Sequence, residues 1–173
     1  MVELRRPDPS WHAAWLAMAE EFGGQDIDGS AMDRRTVDEL RDPEAFAAWV
    51  REREMHERGE AVPEGWVPSS LRWVTEDGEI LGTIRLRHQL NELLLRDGGH
   101  IGYAVRPTAR RRGVASRALA LMLEECRARG ISRVLLTCDD DNLASARTIE
   151  ANGGVLEDVL DGTRRYWITT SGG

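Results

Sequence analysis

The sequence predicts an α/β fold with a mixed sheet and a strand–helix–strand unit near its centre. Three observations support this fold class: amphipathic helix patterns precede residue 60, an Asp-Gly turn joins two alternating runs, and an apolar helix pattern lies between two strand patterns. The chain has 173 residues and contains no repeat or low-complexity tract. We therefore expect a single domain over residues 1–173.

The N-terminal third predicts a short strand at residues 2–6 and two helices. Asp8, followed by proline, is a favourable N-cap for the first helix, which Gly23 can end. Asp42, also followed by proline, begins the second helix in the same way. The polar segment between the helices, at 25–35, is predicted to be a loop over a site.

The middle of the chain predicts a hairpin and a third strand. The Asp-Gly turn at 77–78 joins the runs "LRWVTE" and "EILGTIRLRH". Without a bulge, Ile80, Ile84, Leu86 and His88 share one face of the second strand. The segment "QLNELLLRDGG" is predicted to be a loop, and "HIGYAV" at 100–105 the next strand.

The C-terminal part predicts a helix, a strand, a short helix and a hairpin. The long helix carries an apolar stripe and ends at Gly130, and "SRVLLTC" at 132–138 is a buried strand. Asn142 begins the short helix, which "NGG" ends. The runs "VLEDVL" and "TRRYWITT" flank a second Asp-Gly turn, and the closing Ser-Gly-Gly is expected to fray.

The composition excludes several functions. All 23 basic residues are arginine, so no lysine can form a Schiff base or complete a P-loop. The net charge of −7 argues against nucleic acid as a partner and weakly favours a cationic substrate. No apolar run predicts a leader or membrane span, so we expect a cytoplasmic protein with no membrane partner.

No metal site is predicted. Cys126 and Cys138 fit neither a metal-binding spacing nor a disulfide framework, and the four histidines form no zinc motif. The run "DDD" at 139–141 lacks the spacing of a calcium loop. It is interpreted as a solvated turn before Asn142.

The segment that joins the third strand to the long helix predicts an anion site. Arg110, Arg111, Arg112 and Gly113 stand directly before the helix, whose first amides lack intrahelical partners. The alternative is a solvated arginine run. A pyrophosphate is the favoured ligand, although the dinucleotide fingerprint G-x-G-x-x-G is absent. Gly113→Glu is expected to abolish its binding and to leave folding intact, provided that position 113 has helical angles.

These residues resemble a family motif. Arg110-x-x-Gly113-x-Ala115 matches the R/Q-x-x-G-x-G/A motif of the GNAT superfamily of acetyl-CoA-dependent N-acetyltransferases, and "HIGYAV" resembles the strand before it. "CDDDNLASARTIEANGG" resembles a second family segment through Asn142, Ser145 and Gly153. The resemblance covers roughly residues 70–170 and is closest to bacterial members.

The resemblance implies a fold, a reaction and a cofactor site. The fold is a GNAT-like mixed, mostly antiparallel sheet with a splayed parallel strand pair, flanked by helices. Acetyl-CoA is the implied co-substrate, with its pantetheine arm beside Ala104 and Val105. Asn142 contacts that arm or caps its own helix. The implied cofactor-binding residues are Ala104, Val105, Arg110, Arg111, Arg112, Gly113, Val114, Ala115, Ser116 and Asn142.

The resemblance and the side-chain chemistry also suggest candidates for the catalytic residues. In the family, a tyrosine often acts as the acid that protonates the leaving thiolate. The resemblance places that tyrosine at position 149, where this chain has Ile149. Either another group supplies the proton or the thiolate leaves unprotonated. His100 is the first candidate for the general base, followed by His88 and Glu92. Tyr103 is interpreted as a packing residue with a hydrogen-bonded hydroxyl.

Three functions remain open from the sequence. The first is acetyl transfer to a primary amine of a small molecule or peptide. The second, motivated by Ile149, is a non-catalytic sensor or regulatory module that binds acyl-CoA. The third is an arginine-rich surface that docks an acidic protein. A homodimer is neither predicted nor excluded.

Overall fold

A computed structural model describes residues 1–170, and the closing Ser-Gly-Gly, for which fraying was expected, lies outside the described residues. The strands are β1 (Glu3–Arg5), β2 (Ser69–Glu76), β3 (Glu79–Arg87), β4 (Ile101–Val105), β5 (Arg133–Asp139), β6 (Val155–Leu160) and β7 (Thr163–Thr169). The α-helices are α1 (His12–Glu20), α2 (Pro43–Glu57), α3 (Glu92–Arg96), α4 (Val114–Ala128) and α5 (Leu143–Ala151). None of the helices within residues 1–170 combines the length and apolar character needed to cross a membrane.

The strands form two antiparallel sheets that meet at one point. One sheet has the order β1-β2-β3-β4 and the other β5-β7-β6. At the meeting point, the His100 N–H donates to the Leu135 carbonyl at 2.7 Å. The Leu135 N–H donates back to His100 Nδ1 at 2.9 Å. Beyond this joint β4 and β5 separate, and no ladder joins them within residues 1–170. This is the predicted splayed strand pair.

The helices cover opposite faces of the first sheet. Helices α4 and α5 pack over a core that includes Leu119, Met122 and Ile149. Helices α1 and α2 pack over a second core in which the Phe46 and Trp49 ring centroids lie 5.5 Å apart. Helices α1, α2 and α4 bury their apolar sides against the first sheet, and α5 buries its apolar side against α4 and β5.

A bulge changes which residues of β3 share a face. Val74 pairs with Gly82 and Thr75 with Ile80, so Leu81 is an extra residue between two ladder positions. Ile84 and Leu86 face α4, whereas Ile80 faces α1 and α2. The prediction that Ile80 shares the face of Ile84 applied only without a bulge. That condition is not met, because the bulge shifts the alternation by one residue.

The helix caps follow the sequence, with one helix missed. The Asp42 carboxylate accepts the Ala45 N–H at 2.9 Å, and Asp8 caps a 3₁₀ turn before α1. The predicted loop at 89–99 contains the short helix α3, whose first turn is closed by Asn91 accepting the Leu94 N–H at 2.9 Å. Asparagine is a preferred N-cap, so Asn91 was the available signal.

Candidate functional site

The gap between the splayed strands is a cleft of about 770 Å³. Its walls come from β4, the end of β5, the first turn of α4, helix α5 and the loop at 25–29. This volume lies within the range of small-molecule and cofactor sites. Of the predicted cofactor residues, Ala104, Val105, Arg110, Arg111, Gly113, Val114, Ala115, Ser116 and Asn142 line the cleft, and Arg112 does not.

The first turn of α4 opens onto the cleft. Among residues 1–170, no side chain caps this end of the helix, so the amides of residues 114–116 have neither an intrahelical partner nor a side-chain partner there. Arg111 (φ +59°) and Gly113 (φ +76°) both have left-handed backbone. Successive N–H groups in such alternating conformations form an anion-binding concavity, and the helix dipole adds positive potential.

The left-handed backbone at Gly113 changes one expectation. A Cβ there would meet nothing within 4 Å, so the space is open. The positive φ nevertheless strains any other residue, by roughly 1–2 kcal/mol. The condition attached to Gly113→Glu, helical angles at that position, is therefore not met, and Ala115 is the better position for an added charge.

The side chains of the three predicted arginines lie in different places. Arg110 Nε donates to the Val105 carbonyl at 3.0 Å, which holds its guanidinium beside the end of β4. Arg111 lines the cleft. Arg112 instead donates to Glu76 at 3.1 Å, outside the cleft lining.

The loop at 25–29 closes one side of the cleft against β4. A Cβ on Gly29 would lie 2.1 Å from the Gly102 carbonyl oxygen, so only glycine allows this approach. Thr83 Oγ1 donates to the Gly29 carbonyl at 2.8 Å and fixes the loop on the sheet. The loop at 25–35 was predicted to lie over a site, and its first residues line the cleft.

Asn142 lines the cleft and also caps α5. Its Oδ1 accepts the Ser145 N–H at 3.1 Å. The sequence left open whether Asn142 contacts the pantetheine arm or caps its own helix, and the structure shows the cap. The amide nitrogen of the same side chain has no partner in this cap, so Asn142 keeps a donor at the cleft.

A hydroxyl pair links the two walls of the cleft. Tyr103, on β4, and Ser145, on α5, both line it, and their hydroxyl oxygens lie 2.8 Å apart. Burial raises the pKa of the Tyr103 phenol above its usual value. The hydrogen-bonded hydroxyl agrees with the sequence interpretation, but its exposure to the cleft was not foreseen.

None of the three predicted bases lines the cleft. His100 is 7 % exposed and occupies the joint, where burial and the nearby Arg87 lower its pKa to about 4. His88 Nε2 lies 2.8 Å from the Ser70 hydroxyl, and burial lowers its pKa as well. Glu92 is exposed in the first turn of α3. The structure brings these three residues neither together nor to the cleft lining.

Four carboxylates also line the cleft, together with Arg87. They are Asp26 and Asp28 in the loop that contacts Gly102, Asp97 before β4, and Asp139 at the end of β5. Burial raises the pKa of Asp28, and the charges of Asp139 and Asp26 add to this effect. The sequence analysis missed this group because its members lie on three separate segments; the only signal was the "DDD" run that contains Asp139.

A second carboxylate cluster lies outside the cleft. Asp33, Glu52 and His56 place potential metal-ligating atoms within 4.8 Å of one another. Arg53 pairs with both carboxylates, Arg85 with Asp33, and Arg35 with Glu52. Three guanidiniums against two carboxylates oppose a cation here, so this group is an ion-pair cluster.

The fold and the cleft define an α/β protein with a cleft between two splayed strands, lined at the first turn of α4 by open amides and arginines. The model of the acetyltransferase (GNAT) family matches residues 34–153, and the chain belongs to this family. Among curated proteins, the comparison found no match. The predicted family, fold class, acyltransferase activity and acetyl-CoA co-substrate are thereby confirmed.

Solved structures share the fold at low sequence identity. Mycobacterium smegmatis RimJ in complex with CoA-disulfide has a TM-score of 0.72 at 20 % identity, over 97 % of this chain and 81 % of that chain. The microcin C7 self-immunity acetyltransferase MccE, with acetyl-CoA and AMP, has a TM-score of 0.67 at 13 % identity, over 97 % and 92 %. A Salmonella typhimurium acetyltransferase that modifies the N-terminal serine of ribosomal protein L7/L12 has a TM-score of 0.63 at 20 % identity, over 97 % and 94 %.

Proposed function

We propose that this acetyltransferase acts on a primary amine of a small molecule or peptide that approaches as an ammonium ion. The observation that carries the proposal is that one cleft is lined by groups of opposite charge. Open amides and arginines stand at the first turn of α4, and four aspartates come from other segments of the lining. An anionic acyl donor and a cationic acceptor are the ligands that such a division favours.

For the donor, we assign the pyrophosphate of acetyl-CoA to the amides of Val114, Ala115 and Ser116, with Arg110 and Arg111 beside it. The pantetheine arm then lies along Ala104 and Val105 toward the joint at His100. Arg112 contributes charge from outside the cleft lining while it is held by Glu76. Asn142 can offer its free amide N–H groups to the arm.

For the acceptor, we assign the four aspartates of the cleft lining. The amine must lose a proton before its nitrogen can attack the thioester carbonyl. We assign the base to Asp28, because it lines the cleft in the loop that contacts Gly102 and burial raises its pKa above the usual value. One structural neighbour modifies an N-terminal serine, which is also a primary amine. The bases predicted from sequence, His100, His88 and Glu92, remain predictions for kinetics to test.

Other predictions from the sequence keep that status. They are the bacterial origin, the cytoplasmic location, the single domain over 1–173, and the absence of nucleic-acid and membrane partners. The dimeric state is likewise undecided.

The donor site is tested by calorimetric titration with acetyl-CoA. We expect one saturable site, and Ala115→Glu should weaken binding at least about tenfold because a carboxylate would face the pyrophosphate. The same carboxylate near a helix N-terminus should stabilise the fold by roughly 0.3–1 kcal/mol. The matched control is Arg117→Glu, which is exposed on the same helix and does not line the cleft. Equal losses in both variants would contradict the assigned site.

Transfer is tested by thiol release with spermidine and with a peptide that has a free N-terminal serine. We expect an acetylated product from at least one of them. The family match favours catalysis, and the sensor rests only on Ile149, which is fully buried where the family motif has a tyrosine. Tight binding of acetyl-CoA without any product from a wider amine panel would favour that sensor.

A further inference from the structure

Acetyl transfer needs a group that stabilises the departing sulfur. As the carbon–sulfur bond of the thioester breaks, negative charge develops on sulfur, and a hydrogen-bond donor aimed there lowers the barrier. Position 149 carries no donor, because Ile149 is fully buried in the core beneath α5. The backbone of Gly154 also packs against it, since a Cβ at Gly154 would lie 2.5 Å from the Ile149 side chain.

The position of Tyr103 fits this role. Ser145 and Ile149 are four residues apart on α5, so they occupy neighbouring places on one helix face. The Tyr103 hydroxyl, 2.8 Å from Ser145 Oγ, therefore lies one helical turn from the side chain that lacks a donor. Tyr103 also packs against the same core cluster as Ile149.

The direction of the proposed acetyl-CoA arm also leads to Tyr103. The proposed phosphate site lies at the first turn of α4, beyond the last residue of β4, whereas the loop that carries Asp28 contacts Gly102, nearer the start of β4. An arm that runs back along Val105 and Ala104 brings its thioester to the level of the next residue, Tyr103. The reacting carbonyl then lies between the proposed phosphate site and the loop that carries Asp28, where the amine can reach it.

Two other hydroxyls that line the cleft have partners of their own. Thr148 Oγ1 donates to the Ala144 carbonyl at 3.0 Å, and Thr137 Oγ1 donates toward Asp97 at 3.4 Å. Two hydroxyls that share one hydrogen bond use only one of their two protons. The Tyr103 hydroxyl also has a long contact with the Ser145 carbonyl, at 3.5 Å. If Ser145 Oγ donates to the Tyr103 oxygen, the Tyr103 proton gives up only this weak contact when it turns into the cleft.

We propose that the Tyr103 hydroxyl donates a hydrogen bond to the departing thiolate sulfur of CoA, with Ser145 as the positioning residue that orients it. This inference rests on the proposed acetyl transfer. The amine nitrogen forms the bond to the acetyl carbon as the carbon–sulfur bond breaks, and the bonding pair stays on sulfur. The proton lost by the amine leaves through the base, and one proton from solvent converts the thiolate to the thiol. Tyr103 ends unchanged.

The chain offers a matched control, because it has only two tyrosines. The other, Tyr166, is buried, donates to Glu150 at 3.0 Å and does not line the cleft. Tyr103→Phe should lower kcat about tenfold to a hundredfold with little change in the KM for acetyl-CoA. Tyr166→Phe should retain kcat. Turnover is followed by thiol release with the amine that the wild-type enzyme accepts.

A pH profile separates this role from a merely structural one. In the Tyr166→Phe background, fluorotyrosine incorporation labels Tyr103 alone and makes its phenol more acidic. We expect the alkaline limb of kcat to move to lower pH, because the donor is lost once the phenol ionises. A structural role would leave this limb unchanged, and an unchanged limb would overturn the proposal.

Ser145→Ala distinguishes the two hydroxyls. It should lower kcat less than Tyr103→Phe, and the two losses should be less than additive in the double variant because one residue acts through the other. A larger loss in Ser145→Ala would assign the donor to serine and overturn the assignment to Tyr103. Wild-type turnover in Tyr103→Phe would overturn this inference alone, whereas no thiol release from the wild-type enzyme would overturn the proposed function itself.

Discussion

At the scale of single residues, His100 shows how burial changes the protonation behaviour of a side chain. Its imidazole accepts the Leu135 N–H and closes the joint from which the two strands diverge. The same burial that satisfies this bond lowers its pKa to about 4, with a further contribution from Arg87. At neutral pH the His100 imidazole is therefore neutral, as its hydrogen bond from Leu135 requires.

This linkage makes the stability depend on pH in a defined direction. A histidine whose pKa is lowered by folding stabilises the protein above about pH 6.5, its unfolded value, and this contribution is lost as pH falls toward 4. Between pH 7 and pH 5 the loss from His100 is about 2 kcal/mol. His100→Asn keeps an acceptor for Leu135 but does not titrate, so it should lack this part of the pH dependence.

The measurement is urea unfolding of the wild type and of His100→Asn at both pH values. The variant should gain about 2 kcal/mol relative to the wild type on acidification. We also expect it to retain turnover with the accepted amine. Loss of turnover without loss of stability would instead support His100 as the base.

At the scale of elements, one carboxylate ties four of them together. Glu57, near the end of α2, accepts from Arg6, which follows β1, from Arg72 on β2, and from Arg129, at the end of α4. Burial opposes its ionised form, but the hydrogen bond to Arg72 and the charges of all three arginines hold the pKa of Glu57 at about 2. The side chain is 11 % exposed, so these attractions are little screened.

Breaking this cluster should destabilise the whole fold. Glu57→Gln removes the charge that pairs with the buried Arg72, and the expected loss of unfolding free energy is about 3 kcal/mol. The control is Glu54→Gln on the same helix, whose pair with Arg58 is exposed on both sides and should change stability by less than about 0.5 kcal/mol. Chemical denaturation at pH 7 measures both, and equal effects would contradict the role of the cluster.

The elements themselves were largely predictable, because local chemistry defines them. Asp42 capped α2 as expected, and both Asp-Gly turns joined hairpins. The bulge at Leu81 was not predictable, since it depends on how β3 pairs with β2 and leaves no mark on the alternation of β3 alone. Helix α3 was missed because five residues are too few for a periodic pattern.

The parts of the cleft also differed in how far the sequence could predict them. The arginine–glycine part lies on one continuous segment, so its spacing could be recognised. The rest depends on residues that only the tertiary fold brings together, such as Tyr103 and Ser145, which are 42 positions apart. Asp28, Asp97 and Asp139 converge from two loops and a strand end, and no local pattern connects them.

At the scale of the whole molecule, net charge and cleft charge act differently on the two substrates. The net charge of −7 attracts a cationic amine from a distance and repels anionic acetyl-CoA. For the amine, the aspartates near the site reinforce the long-range attraction. For acetyl-CoA, the arginines near α4 oppose the long-range repulsion, so the two contributions partly cancel.

Salt should therefore affect the two substrates unequally. Between about 0.01 M and 0.1 M salt the Debye length falls from about 30 Å to about 10 Å. We expect kcat/KM for the accepted amine to fall several-fold over this range, and kcat/KM for acetyl-CoA to change less.

Asp28→Asn should lower kcat and flatten the salt dependence for the amine, because it removes both the proposed base and one attracting charge. Asp38→Asn, an equal change of charge at an exposed residue outside the cleft lining, should leave kcat unchanged. Steady-state kinetics at both salt concentrations measure these effects, and equal slopes for Asp28→Asn and Asp38→Asn would mean that only the net charge steers the amine.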